Sequence, residues 1–244
     1  MTIHSRLIDH PSLNFDARPE GMAVDTLVLH YTGMTSAKSA LARLTDRSAK
    51  VSAHYMVDED GTVFRLVEED KRAWHAGVSS WKGETDVNGR SIGIELVNPG
   101  HEFGYRPFPK AQMDSLVVLA RDIAARHDIP PDRVLGHSDV APERKSDPGE
   151  LFDWALLAEA GVGLWPPPEV RERTKEAPLT LTLAEAQEKL RLLGYAVPRA
   201  GEMDSRTRAV LIAFQRHFRQ DKVDGTLDGE TAAILAWAIE AAWD

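Results

Sequence analysis

Two histidines, two carboxylates and a lysine stand where predicted strands end or loops turn, and together they offer metal-assisted hydrolysis. The densest stretch is Gly136-His137-Ser138-Asp139-Val140-Ala141-Pro142-Glu143-Arg144-Lys145-Ser146-Asp147-Pro148-Gly149. Its prolines and glycines rule out one helix or one central strand. Polar loops mounted on rigid elements are where binding and catalytic groups tend to sit. Upstream, the apolar run from Val24 ends in His30-Tyr31, with Thr32-Gly33 just after. His30, His137 and Asp147 therefore form a candidate set of three N/O ligands. Such a set leaves a fourth position for water and marks a catalytic rather than a structural zinc site. Zinc lowers the pKa of a bound water to roughly 7. The chain has no cysteine, so a metal site must draw on His, Asp and Glu.

Each residue taken singly has a plainer role. A histidine at a strand end is more often a hydrogen-bonded structural group, and Asp147 before Pro148 reads as a turn former. Their weight comes from two neighbours. Glu95 lies inside the apolar run Ile92-Gly93-Ile94-Glu95-Leu96-Val97, where an acid is costly without a partner or a task. Burial there should raise its pKa and suit it to take a proton from the zinc water. Lys145, two residues before Asp147, supplies a cation that can stabilise the oxyanion of a tetrahedral intermediate. His101-Glu102 imitates the start of a zincin helix. However, Tyr105 occupies the place of the second histidine, and Gly104 and Pro107 disfavour the helix. Trp74, His75 and His54 are candidates to line the cleft. For His54 a buried structural role and a substrate contact weigh evenly. Tyr31 and Asn98 complete the candidate substrate contacts. His4, His10, His127 and His217 read as surface or core residues.

The elements that must position these groups alternate. Residues up to about 24 read as an extended polar arm. Strands are expected over Val24 to Tyr31 and Ser91 to Val97, with a short one over Arg133 to Leu135. A hairpin is expected from Ala53–Val57 and Thr62–Val67 around Asp58-Glu59-Asp60-Gly61. Helices are expected from a Thr35 or Ser36 cap to about Arg47, over Lys110 to His127 with a stop at Asp128-Ile129-Pro130-Pro131, and over Leu151 to Leu157. Alternating strands and helices predict an α/β fold, a mixed β-sheet flanked by helices, over residues 1–165. Trp165-Pro166-Pro167-Pro168 and the charged residues after it read as a semi-rigid linker over 166–178.

Residues 179–244 contain a short repeat. Gly201-Glu202-Met203-Asp204-Ser205-Arg206-Thr207 matches Gly225-Thr226-Leu227-Asp228-Gly229-Glu230-Thr231. In each copy Gly makes a turn, Met203 or Leu227 is expected to pack back as a staple, and Asp caps the helix that follows. With a capping box at Thr182-Leu183-Ala184-Glu185, this predicts a small three-helix C-terminal domain.

The bulk numbers narrow the classes. A net charge of -9 over 244 residues offers no basic face for nucleic acid. No apolar run is long enough to span a bilayer. Met1-Thr2-Ile3-His4-Ser5-Arg6 opens no apolar segment of the secretory type, so the expected location is the cytoplasm, with the cell envelope as the alternative.

Six ordered motifs carry a resemblance: Val28-Leu29-His30-Tyr31-Thr32, Ser52-Ala53-His54-Tyr55, Ala73-Trp74-His75-Ala76-Gly77, Ser91-Ile92-Gly93-Ile94-Glu95, Gly136-His137-Ser138-Asp139 and Lys145-Ser146-Asp147-Pro148-Gly149. Over roughly residues 20 to 165 the chain resembles the zinc-dependent N-acetylmuramoyl-L-alanine amidases. That group includes AmpD- and AmiD-type enzymes, phage amidases and peptidoglycan recognition proteins. The resemblance implies zinc on His30, His137 and Asp147, Glu95 as general base and Lys145 as transition-state stabiliser. It implies cleavage of the amide between the lactyl group of N-acetylmuramic acid and L-alanine, with peptidoglycan or a muropeptide as substrate. The tail, with Phe214-Gln215, resembles a peptidoglycan-binding domain; it is expected to tether the enzyme to polymer, the alternative being a docking domain that only stabilises the catalytic one. Two other classes share features with it. Binding proteins without catalysis usually lack the full ligand set present here. Zinc peptidases that cut within the stem peptide often use a His-x-His pair that is absent here.

Overall fold

The computed structural model describes residues 7–243; His4 and the first part of the expected arm lie outside them. A six-stranded mixed sheet, order β1-β5-β4-β7-β3-β8, organises the first two-thirds of the chain. Its strands are β1 (Leu7–Asp9), β3 (Thr26–Tyr31), β4 (Tyr55–Val57), β5 (Val63–Arg65), β7 (Ser91–Leu96) and β8 (Val134–Gly136). β2 (Phe15–Ala17) and β6 (Lys71–Ala73) pair antiparallel in a ribbon of their own. β4 and β5 form the expected hairpin, while β7 runs parallel to both β4 and β3, and β3 parallel to β8. The arm is more ordered than expected: β1 adds a parallel edge strand beside β5. Its polar sequence reflects an edge position, where one side of the strand faces water.

Register places the site. Along β3 the apolar residues alternate with period two. Leu27 and Leu29 face the core under α4 (Lys110–His127), together with Ile92, Ile94, Met113, Leu116, Ala120 and Ile123. The intervening Val28 and His30 therefore face the other side. His30 is the register partner of Glu95, and Leu29 that of Gly136, the residue before His137. Three neighbouring parallel strands thus deliver Glu95, His30 and His137 side by side at their carboxyl ends. That edge is where open α/β sheets hold their ligands.

The helix starts follow their caps. α1 (Ala37–Thr45) begins at Ser36, whose side chain accepts from the Ser39 amide. Two short helices sit inside predicted loops: α2 (Val87–Arg90), capped by Asp86, before β7, and α3 (Gly100–Phe103) after it. A single turn, α5 (His137–Val140), interrupts the loop that was expected to be irregular. Its prolines lie beyond it, at Pro142 and Pro148, so they do not oppose the turn. α6 (Trp154–Glu159) starts at Asp153. The expected linker contains α7 (Pro168–Thr174), with Pro168 at the first helical position, where its missing N–H costs nothing. Val170 and Thr174 are buried, Arg171 pairs with Asp221 at 2.7 Å, and the helix packs against the tail, so this stretch is not a spacer.

The tail is the expected trio: α8 (Leu183–Leu193), α9 (Ser205–Phe218) and α10 (Gly229–Ala241). Asp204 and Asp228 cap through the Thr207 and Thr231 amides. The staple holds in one copy only: Leu227 packs against the core of the tail, whereas Met203 is 48% exposed. A buried glutamine fixes each repeat. Gln187 accepts from the Gly201 amide and donates to Thr207 Oγ1, and Gln215 does the same for Gly225 and Thr231. A side-chain amide satisfies a turn N–H and a threonine hydroxyl at once, which an apolar staple does not do. Gln215→Ala leaves those groups without their partner inside the protein. It is expected to cost about 1–3 kcal/mol, read from the chemical-denaturation midpoint; a loss under about 0.5 kcal/mol would contradict the clamp.

Candidate metal centre and active site

His30 Nδ1, His137 Nδ1 and Asp147 Oδ2 converge. The separations are 2.9 Å between the two nitrogens, and 3.1 and 3.0 Å from His30 and His137 to the carboxylate oxygen. All three residues are buried. Their outer hydrogen bonds decide which nitrogens carry protons. The Ala76 carbonyl can only accept, so His137 Nε2 donates to it at 3.0 Å. Ser91 Oγ donates to the Val87 carbonyl at 2.6 Å and so accepts from His75 Nε2 at 3.2 Å. His75 Nδ1 is then a lone pair and accepts from His30 Nε2 at 3.0 Å. With one proton on each ring, both Nδ1 atoms present lone pairs to each other and to a carboxylate oxygen. Three acceptors facing one point repel unless a cation lies among them. Such outward donation from ligating imidazoles is the usual support of a metal site. Ligand bonds of about 2.0–2.2 Å set tetrahedral corners about 3.3 Å apart, so the three atoms fit zinc after an opening of a few tenths of an ångström.

Charge state agrees with that reading. Burial, then the neighbouring His137, lowers the His30 pKa to about 4, which keeps it neutral. Burial and the surrounding histidines push His75 well below its ordinary value.

Glu95 stands at the wall of a cavity of about 240 Å³ lined also by Tyr31, Arg43, Ser52, Trp74, His75, His137, Lys145 and Asp147. Its Oε2 is sealed from solvent and has no hydrogen-bond partner. Burial first, then repulsion from Asp147, raises its pKa to about 8, with Lys145 opposing. Among the described residues the carboxyl group forms no ion pair.

Two of the expected substrate contacts lie elsewhere. His54 is fully buried: its Nδ1 accepts from the Gly93 amide, and its Nε2 lies 3.0 Å from the Arg18 guanidinium and 3.1 Å from the Lys71 carbonyl. Asn98 is also fully buried, donating to the Arg106 carbonyl and accepting from the Gly100 amide. Neither lines the cavity. His75 reaches the cavity wall but its ring nitrogens are spent on His30 and Ser91. Trp74 and Tyr31 do line the opening; their polar atoms engage Asp16 and His101. His101 is held between Tyr31 and Glu150 on a single helical turn, so it takes no part in a zincin-type site.

The supporting residues were harder to see. Arg144 donates to the Ala76 and Val78 carbonyls, bracing the acceptor that orients His137. Asn88 Oδ1 accepts from the His75 and Ala76 amides. Tyr105 donates to the Pro148 carbonyl and covers Gly149, whose φ of +88° suits glycine, and so fixes the turn after Asp147. Gly93 admits the His75 ring: a Cβ there would lie 2.5 Å from it. The role of this glycine could not be read from the sequence, because the ring it admits comes from another segment.

Comparison with known proteins now has a geometry to meet. The sequence model of the N-acetylmuramoyl-L-alanine amidase family matches residues 20–150. The chain belongs to the N-acetylmuramoyl-L-alanine amidase family. A model for a peptidoglycan binding domain matches residues 182–235. The amidase AmiD of Escherichia coli is 38% identical, over 96% of this chain and 90% of its own length. Its structure in complex with the substrate anhydro-N-acetylmuramic acid-L-Ala-D-gamma-Glu-L-Lys superposes with a TM-score of 0.79, covering 91% and 92% of the two chains at 39% identity. AmpDh3 of Pseudomonas aeruginosa gives 0.80 at 40% identity, over 93% and 95%. The 1,6-anhydro-N-acetylmuramyl-L-alanine amidase AmpD of Enterobacter cloacae is 35% identical over only 59% of this chain, though 84% of its own length.

In the metal-free amidase, Glu95 binds its proton more tightly folded (about 8) than at its ordinary value of 4.5. The stability this contributes is full below about 4.5 and is lost as pH rises toward about 8. The stability difference between wild type and Glu95→Gln should therefore shift against wild type across that window, measured by denaturant midpoints at several pH values. Parallel curves would contradict it. Gly93→Ala should displace His75 and lower metal affinity at least tenfold by chelator competition; unchanged affinity would contradict the support role of His75.

Proposed function

We propose that this amidase uses zinc to hydrolyse the amide between the lactyl group of N-acetylmuramic acid and L-alanine of the stem peptide, in peptidoglycan and in (anhydro)muropeptides. The observation that carries the reading is the triangle of lone pairs at His30, His137 and Asp147 with the partnerless carboxyl of Glu95 facing the same cavity. A zinc ion on those three residues supplies Lewis acidity, polarising the amide carbonyl and bringing water toward a pKa of roughly 7. Glu95 takes the proton of the water that attacks the carbonyl carbon. It then delivers that proton to the alanine nitrogen as the C–N bond breaks, leaving a lactyl carboxylate and a free amine. The Lys145 ammonium faces the cavity and offsets the charge that develops on the carbonyl oxygen. His75 and the Ala76 carbonyl hold the two imidazoles in the tautomer that points lone pairs inward. Trp74 and Tyr31 flank the opening and supply apolar and aromatic surface to the substrate.

AmiD, in complex with an anhydromuramyl tripeptide substrate, supports this choice of bond. The test is a soluble muropeptide incubated with the enzyme and the products weighed. Release of the intact stem peptide from the sugar is expected. Chelation should abolish it, and added zinc should restore it. Glu95→Gln should lower kcat by at least about 100-fold while zinc stays bound. Cleavage inside the stem peptide, or full activity in the chelated enzyme, would overturn the reading.

A further inference from the structure

The C-terminal helices reach the metal centre from behind. Asp139 lies two residues after His137 on α5, and its side chain is fully buried. Its Oδ2 accepts from the Gly136 amide at 2.7 Å and from His217 Nδ1 at 2.7 Å, and its Oδ1 accepts from the Tyr195 hydroxyl at 2.5 Å. Tyr195 follows α8 and His217 lies on α9, so two of the three donors come from the tail. The His217 ring is stacked at 3.7 Å on Trp154 of α6, and Tyr195 packs edge-on against Trp81 at 4.9 Å. One apolar cluster joins Val28 of β3, Leu135 of β8 and Val140 of α5 to Leu190, Leu193, Val210 and Phe214 of the tail. The two parts therefore share a core and are not simply tethered.

We propose that Asp139 is a positioning residue for His137, and that Tyr195 and His217 make the C-terminal helices an integral part of the metal centre. This rests on the zinc reading above. A single helical turn does not hold its shape without tertiary support. On α5 that support is a buried carboxylate gripped at both oxygens. The Ala76 carbonyl fixes the outer nitrogen of the His137 ring, and the Ser138 and Val140 backbone is tied to the Asp147 carbonyl and the Ser80 amide; the Asp139 carboxylate is the side-chain grip that joins this turn to the tail. Without the tail's donors, Asp139 is left buried with only the Gly136 amide; α5 must shift to rehydrate it, and His137 Nδ1 moves with it. A tail that served only to bind polymer would need no such grip on the residues beside a ligand.

The test uses the full-length protein and zinc itself. Tyr195→Phe deletes one oxygen and keeps the ring packing, so it leaves the fold intact. His217→Leu removes the second donor, and His217→Asn restores an N–H at the position of Nδ1. Gln215→Ala weakens the tail away from Asp139. Zinc affinity by chelator competition is the readout, with kcat and KM on soluble muropeptide beside it. Tyr195→Phe and His217→Leu should weaken zinc binding about 10- to 100-fold and lower kcat more than they raise KM. His217→Asn should recover most of the affinity, and Gln215→Ala should leave it unchanged. Wild-type zinc affinity in folded Tyr195→Phe, or an equal loss in Gln215→Ala, would overturn the proposal while the zinc reading stands. A wild-type protein that binds no stoichiometric zinc would sink both.

Discussion

Two imidazole nitrogens and a carboxylate oxygen, none with a proton to share, are pressed to about hydrogen-bond distance around one point. Left alone they repel; a divalent cation among them would turn the repulsion into attraction. Much of the surrounding structure serves to keep those lone pairs aimed inward. The relay from His30 through His75 and Ser91 to the Val87 carbonyl fixes one ring, and the Ala76 carbonyl, itself held by Arg144, fixes the other. Each relay ends on a backbone carbonyl, a group that cannot reverse its role. The tautomers are therefore set by the fold.

The same constraint explains why a carboxyl is left without a partner. Glu95 is delivered beside His30 by strand register, on a face whose other positions are glycine, serine and apolar residues. Among the described residues no arginine pairs with it, and burial keeps its proton affinity high against the opposing charge of Lys145. Apposed to the ligand triangle, that affinity becomes the capacity to accept and return a proton. Lys145, on the loop between α5 and Asp147, brings positive charge to the same cavity.

How much of this could be read from the sequence follows from what each feature depends on. His30, Glu95, His137 and Asp147 were legible because each breaks a local pattern: a titratable group inside or at the end of an apolar run, or in a loop dense with proline and glycine. The sheet was legible through period-two runs, and the tail through its repeated turn-and-cap. The roles of His75, Ser91, Asn88, Arg144 and Asp139 were not, because they exist only once distant segments meet. Asn98 was misplaced for the same reason: it looks available in the sequence and is consumed by backbone groups of a neighbouring segment. His54 takes the buried structural role that weighed evenly against a substrate contact. The arm read as merely extended and the linker as a semi-rigid spacer, yet one contributes an edge strand and the other a helix with Val170 buried. His217 read only as a surface or core residue, and its contacts with Trp154 and Asp139 exist only once the tail has docked.

X-ray absorption at the zinc edge of the purified full-length amidase tests the central claim most directly. The account predicts one zinc per chain, with scattering from two imidazoles and from light N/O atoms at about 2.0–2.2 Å and no sulfur. A spectrum without imidazole scattering, or a protein that retains no zinc at equilibrium with micromolar free metal, would contradict it.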